Sequence, residues 1–132
     1  MNEYESKAQK FLKDHGAHVH ISFVSRKPNK MWNDTEPRNN YQVHVERGKE
    51  KWNYTFHDSI HNTQNNIRPN VYDVLSCVQT YDVGSLSDFI SEFGYDPEFT
   101  DAERIYKAVR KEYENWNRLF GDVAEEFWNV FA

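Results

Sequence analysis

The chain of 132 residues has a single cysteine, Cys77, and it is also short of glycine, with five residues, and of proline, with four. One cysteine excludes an intramolecular disulfide and is typical of a protein from a reducing compartment. A cysteine nucleophile needs an activating base, and the sequence places none beside Cys77. We therefore interpret Cys77 as a small buried apolar residue on a helix.

Long apolar runs are missing as well. No stretch approaches the roughly 18 apolar residues that cross a bilayer, and the N-terminal MNEYESKAQKFLKDHG has acids where a signal peptide needs bases. We therefore expect a cytoplasmic protein that does not contact the membrane. The sequence also lacks a glycine-rich phosphate loop and the HExxH and GxSxG motifs. We accordingly expect no enzymatic activity and no cofactor.

The chain is rich in charged and aromatic residues. Its net charge is −5, and residues 82–132 hold 12 Asp and Glu against 5 Lys and Arg. An acidic half argues against phosphate binding there and favours either a solvated face or a basic partner. Aromatic residues are 16% of the chain, so large rings carry much of the burial and are also available as interface anchors.

The first half reads as one helix followed by strands. Apolar residues at helical spacing predict a helix over 3–14 that ends before Gly16. Strict alternation predicts a strand over 17–23, and the prolines and asparagines of 27–40 predict a loop. Residues 41–57 predict a hairpin with a type II′ turn at Gly48 and Lys49, in which paired residue numbers sum to 97. This register sets apolar residues opposite each other on one face and Glu46 opposite Lys51 on the other.

The second half reads as helices after a polar loop over 57–70. Asn70 caps a predicted helix to about residue 80, Ser85 caps a short helix over 86–93, and Thr100 with Glu103 caps a long helix to about 119. Gly121 ends that helix, and a last amphipathic turn or two contains Phe127, Trp128 and Phe131. The prediction is one α+β domain over 1–132: an N-terminal helix, a three-stranded antiparallel sheet, and about four helices that cover one sheet face.

The helical half also carries a family resemblance. Its residues are Tyr72 to Cys77, Tyr81-Asp82, Asp88-Phe89, Ser91 to Asp96 (SEFGYD), Ala102-Glu103, Tyr106 to Val109 (YKAV) and Arg118 to Phe120. This pattern resembles a family of small bacteriophage and prophage accessory proteins over roughly residues 52–120. Val83 and Ile90 depart from it, where relatives often carry Pro and Cys. The resemblance supplies no catalytic residue. Because small accessory proteins of phages are often inhibitors of host defence, including anti-CRISPR proteins, it implies such an inhibitor in the cytoplasm of an infected bacterium.

We predict a partner-binding surface from these features. The partner is a host defence protein, such as a CRISPR effector subunit, and the acidic residues Glu92, Asp96, Glu98 and Asp101 contribute to its binding. Met31 and Trp32, which lie among Lys27, Lys30 and Arg38, either stack on a nucleobase, anchor in a protein pocket, or fold back over the sheet edge.

Two alternatives stay open at the level of the sequence. The polar face of the sheet presents His18, His20 and His44, which form a metal-binding set if the strand order brings them together, although a solvated face is the simpler interpretation. The same face, with the Met31 and Trp32 loop, is also a candidate for binding single-stranded nucleic acid. Either a monomer or a homodimer fits the sequence, since the C-terminal FWNVF segment could pack against a second copy.

Overall fold

A helix, a three-stranded antiparallel sheet and a series of helices follow one another along the chain, which confirms the predicted α+β class. The computed structural model describes residues 3–28, 35–79, 84–93 and 102–130. Its elements are α1 (Glu3–Asp14), β1 (Ala17–Lys27), β2 (Arg38–Arg47), β3 (Glu50–His57), α2 (Ile60–Gln64), α3 (Val71–Gln79), α4 (Leu86–Phe93), α5 (Ala102–Phe120), a 3₁₀ turn (Gly121–Val123) and α6 (Ala124–Val130). None of the described helices is long and apolar enough to cross a membrane.

The β2–β3 hairpin has the predicted register. Arg47 lies opposite Glu50, Val45 opposite Trp52 and Val43 opposite Tyr54, so each pair of numbers sums to 97. Gly48 has a φ of 60°, and Lys49 does not share the positive φ, which is the conformation that a type II′ turn requires. The turn therefore fixes which side chains of the hairpin face the helices.

Strands β1 and β2 extend further than the sequence predicts. Their register shifts by one residue between Phe23 and Ser25, which leaves Val24 as the extra residue of a β-bulge. The bulge breaks the alternation on which the prediction depended, and beyond it Ser25 to Lys27 pair with Asn40 to Arg38. The predicted loop over 27–40 is therefore too long at both ends.

Helix α2 was not predicted, because it lies within the polar segment 57–70. Ser59 caps it by accepting a hydrogen bond from the Asn62 amide over 3.0 Å. Buried polar residues join this helix to β2. The Asp58 amide donates to the Asn39 carbonyl over 2.9 Å, and Thr63 Oγ1 accepts a hydrogen bond from the Asn39 amide. Local capping and these contacts, more than apolar periodicity, account for this helix.

The other predicted helices are confirmed, with their caps where these are described. Asn70 and Asp73 form a reciprocal capping box, since each amide donates to the side chain of the other residue over 2.9 Å. Ser85 Oγ accepts from the Asp88 amide at the start of α4 over 3.1 Å. The Thr100 cap lies outside the described residues.

The core lies between the apolar face of the sheet and helices α1, α3, α5 and α6. Tyr54 links the layers by donating its hydroxyl hydrogen to the Val74 carbonyl of α3. On α5, Trp116 is fully buried and packs against Phe120 and Phe127. The buried side chains of this core come from the sheet and the four helices: Phe11, Leu12, Tyr41, Val43, Val45, Trp52, Tyr54, Phe56, Val74, Leu75, Val78, Trp116, Leu119, Phe120 and Phe127.

Candidate functional site

Of the six residues predicted to bind a partner, Glu92 is the one whose position the structure gives. It lies on α4 and is exposed. Met31, Trp32, Asp96, Glu98 and Asp101 all lie outside the described residues. Their part in the predicted site stays a prediction.

Helix α4 presents a small acidic face around Glu92. Phe89 is fully buried and packs its ring 5.4 Å from that of Tyr106 on α5. This contact turns Asp88 and Glu92, which are one helical turn apart, towards solvent. Two carboxylates on one exposed face make this part of the surface locally negative.

The C-terminal helix presents a second acidic face, which also carries a tryptophan. On α6, Phe127 is fully buried and its ring makes edge contacts with those of Phe11 and Trp116, at 5.3 Å and 5.5 Å. Adjacent helical residues point about 100° apart, so burial of Phe127 leaves Trp128 46% exposed. Glu125 and Glu126 are exposed on the same helix. We call Glu125, Glu126 and Trp128 the α6 surface.

Polar contacts hold α6 and the turn before it against the rest of the domain. Glu126 Oε2 lies 2.9 Å from Nε2 of His15, and Arg47 binds both carboxylate oxygens of Asp122, at 2.5 Å and 3.1 Å. Arg47 also donates to the Leu119 carbonyl over 2.8 Å. Its hydrogen bonds hold the pKa of Asp122 below its usual range. Contacts with His15, which follows α1, and with Arg47, at the end of β2, therefore fix the position of α6.

Sequence reasoning did not single out Trp128 as a surface residue. The pattern groups Phe127, Trp128 and Phe131 as one apolar face, but the first two are neighbours and cannot both point inward from a helix. No sequence signal separates them, because helical spacing from Trp116 on α5 does not continue across the 3₁₀ turn at Gly121–Val123 into α6. Phe131 lies outside the described residues.

The histidines predicted as an alternative metal site lie on the polar sheet face. His20 pairs with His44 across β1 and β2, and His18 pairs with Glu46. Both ring nitrogens of His44 already have partners, Nδ1 with Asn53 Oδ1 at 2.6 Å and Nε2 with Glu46 Oε1 at 2.9 Å. These contacts raise the pKa of His44, with Glu46 as the largest cause, and His44 in turn lowers that of Glu46.

This arrangement favours a protonated His44 in an ion pair over a metal ligand, because a ligand needs a free nitrogen lone pair. Throughout the described ranges, no group of three or more His, Cys, Asp or Glu side chains is placed to hold a metal ion. For His44 to bind a metal, it would have to release Glu46 or Asn53.

A cleft of about 680 Å³ lies between α1 and the segment that leads into α3. Glu5, Arg68, Asn70 and Asp73 contribute to its wall. Asn70 and Asp73 are committed to the capping box of α3, and Arg68 Nη2 donates to the Ile21 carbonyl over 2.6 Å. Arg68, Asn70 and Asp73 therefore serve the fold.

Buried polar residues next to this cleft also have structural roles. Asp58 is 3% exposed, and its Oδ1 accepts hydrogen bonds from the Ser59 amide and the Asn62 side chain, at 2.8 Å and 3.0 Å. Burial raises the pKa of Asp58. Because its Oδ1 bonds two groups at the start of α2, we interpret Asp58 as a stabiliser of that helix.

Comparison of the chain with protein-family models, with curated proteins and with solved structures finds no match.

Proposed function

We propose that this chain is a non-enzymatic phage protein that binds a host defence protein, such as a CRISPR effector subunit, and blocks it by covering its working surface. The proposal combines the resemblance to phage accessory proteins with the acidic and aromatic character of the exposed helices. An occluding protein needs only an adequate surface, and its partner loses access to nucleic acid or to another subunit.

The α6 surface is the observation that carries the proposal. Trp128 is 46% exposed, whereas most of the aromatic rings whose burial the structure describes are buried. Tryptophan is among the residues that supply most of the binding energy at protein interfaces. Glu125 and Glu126 lie beside it, and no Lys or Arg follows Arg118 in the sequence. An aromatic anchor flanked by carboxylates fits a basic partner that has an apolar pocket.

The charge of α5 limits how the partner is bound. Arg104, Lys107 and Lys111 are exposed on this helix, and Lys107 pairs with Glu103 at 3.1 Å. Positive charge at these positions interrupts the negative surface. We therefore propose small acidic contacts, one on α4 and one on α6, rather than an extended imitation of nucleic acid.

The experiment is a pull-down of tagged protein from host lysate, with and without nuclease, followed by mass spectrometry and reconstitution of the captured complex. Recovery of one defence subunit that survives nuclease treatment, and that purified chain inhibits, would support the proposal. Partners that disappear with nuclease would replace it with the nucleic-acid alternative.

Variants of equal exposure make the pull-down specific for the α6 surface. Trp128→Ala removes the proposed anchor, and Ile67→Ala removes an apolar side chain that is 45% exposed on the segment between α2 and α3. We expect capture to be lost with Trp128→Ala and kept with Ile67→Ala. Equal capture by both variants would remove α6 from the proposal.

A further inference from the structure

One face of the sheet is exposed, because the helices pack on the other. Val43, Val45 and Trp52 point into the core, and the residues that alternate with them in a strand point to the opposite side. The strand register places three such side chains from each strand in neighbouring rows. None of them is buried. We call this set the open face: His18, His20, Ser22, Gln42, His44, Glu46, Lys51, Asn53 and Thr55.

The open face has one carboxylate, and two cations share it. Glu46 Oε1 lies 2.9 Å from His44 Nε2 and 3.6 Å from Lys51 Nζ. The Asn53 side-chain oxygen lies 2.6 Å from the other ring nitrogen of His44. A ring nitrogen must carry a proton to donate to an oxygen, so His44 makes both bonds as an imidazolium. The cluster of Glu46, His44 and Lys51 therefore keeps one positive charge.

Lysines without an acidic partner lie beyond both ends of the open face. Lys49 is exposed in the hairpin turn, and Lys27 is exposed opposite Arg38, which continues the even-numbered row of β2. In the part of the chain that the structure describes, neither amino group forms an ion pair. Arg38 and Glu46 are eight residues apart on β2, or roughly 27 Å. Positive charge therefore lies at each end of an exposed strip of this length.

The sheet region is positive within an acidic protein. Residues 17–57 hold 7 Lys and Arg against 4 Asp and Glu, whereas the rest of the chain holds 9 against 17. The helical segments therefore repel a polyanion, and the sheet attracts it. This charge complementarity points to nucleic acid, whose backbone is a regular row of phosphates.

Groups that bind bases lie between these charges. His18 and His20 are exposed on the same side of β1, roughly 7 Å apart along the strand. Imidazole rings stack on unpaired bases, and amides such as that of Gln42 hydrogen-bond to base edges. A duplex hides the faces of its bases, so the open face suits a single strand.

We propose that the open face binds single-stranded nucleic acid, with bases over His18 and His20 and phosphates near Lys27, Lys49 and Lys51. This activity goes beyond the proposed function and does not depend on it. The acidic contacts of the proposed function belong to the helices, which lie on the covered side of the sheet.

The test uses the purified full chain without any host protein, so its failure is distinguishable from failure of the proposed function. Fluorescence anisotropy of labelled oligo(dT) and oligo(U) should rise on addition of the chain, with an affinity that falls linearly with salt on logarithmic axes. Unlabelled duplex DNA and polyglutamate should compete poorly. Absence of binding, or competition by either polyanion as strong as that of unlabelled oligo(dT), would overturn the proposal.

Substitution of a lysine tests the phosphate contacts. Lys49→Ala removes no ion pair of the described fold, and it should raise the Kd a few-fold and reduce the salt slope by about 0.7. The control is Lys111→Ala, which makes the same change in net charge at an exposed position on α5. We expect its Kd to match that of the wild type. Equal weakening by the two variants would show that overall charge, and not the open face, governs binding.

Substitution of the histidines tests stacking separately from charge. At about pH 8 an ordinary imidazole is neutral, and there the double variant His18→Ala, His20→Ala should raise the Kd at least several-fold. Phe at both positions keeps an aromatic ring and should retain binding. His61→Ala, exposed on α2, is the control for loss of a histidine. Unchanged binding by the double Ala variant, or equal losses with Ala and Phe, would contradict the placement of bases over this pair.

Discussion

Trp52 donates its indole hydrogen to Oε2 of Glu112 over 2.7 Å, and this bond joins β3 to the long helix α5. Trp52 is 3% exposed. Burial raises the pKa of Glu112, and the bond from Trp52 opposes this effect. The pair therefore combines a favourable hydrogen bond with the cost of burying a charged carboxylate.

Substitutions at Glu112 separate these two effects. Glu112→Ala leaves the buried indole N–H without its acceptor, and we expect it to destabilise the fold by about 1–3 kcal/mol. Glu112→Gln keeps an oxygen acceptor and removes the charge, so its effect should stay below about 1 kcal/mol. Urea unfolding at neutral pH measures both. Equal losses for the two variants would show that packing, and not the hydrogen bond, matters at this position.

The raised pKa of Glu112 also predicts a pH dependence. The folded state binds the carboxyl proton of Glu112 more tightly than the unfolded state does. The destabilisation from burying the charged carboxylate is therefore complete above the folded-state pKa, and it disappears as pH falls below the unfolded-state pKa. Wild-type protein should therefore gain stability relative to Glu112→Gln as pH is lowered through that interval. Thermal unfolding of both proteins over the same pH series measures this difference in stability. A difference that stays constant with pH would contradict the prediction.

The hydroxyl of Tyr54 ties the sheet to α3 through the Val74 carbonyl. Tyr54→Phe removes this bond inside a buried contact and should cost about 1 kcal/mol, with an unchanged denaturant slope. The matched control is Tyr41→Phe, since Tyr41 is also buried but its hydroxyl is not hydrogen-bonded within the described part of the chain. A larger loss at Tyr41 than at Tyr54 would refute this assignment.

The acidic contact is tested by charge reversal. Substitution of Glu92, Asp96, Glu98 and Asp101 by Lys should weaken binding of the captured partner, most strongly at low salt, and leave the circular dichroism spectrum unchanged. Each single reversal is compared with Glu36→Lys, an exposed acid in the N-terminal half whose reversal changes the net charge equally. Binding that is unaffected by the four reversals would remove these residues from the site.

The sequence predicts the elements of this fold better than their ends. Turn chemistry at Gly48 fixes the hairpin register, and Asn70 and Ser85 fix where α3 and α4 begin, because these signals are local. The bulge at Val24 and helix α2 depend on tertiary contacts, such as that between Asn39 and Thr63, which periodicity does not reveal.

The candidate surfaces were harder to predict for the same reason. Composition indicates that the C-terminal half is acidic, but only packing decides that Phe127 is buried and Trp128 is exposed. Likewise, the alternation of β1 predicts its two faces and not its place in the strand order β1-β2-β3, since strand order depends on contacts distant in sequence.

The most direct test of the central claim is a plaque assay. The chain is expressed in a panel of bacterial strains, each with one defence system directed against a common phage, alongside folded Trp128→Ala and Ile67→Ala variants. The account predicts that wild type and Ile67→Ala restore plaque formation in a strain with a particular system, and that Trp128→Ala does so less efficiently. Unchanged resistance in every strain that expresses the wild-type chain would contradict it.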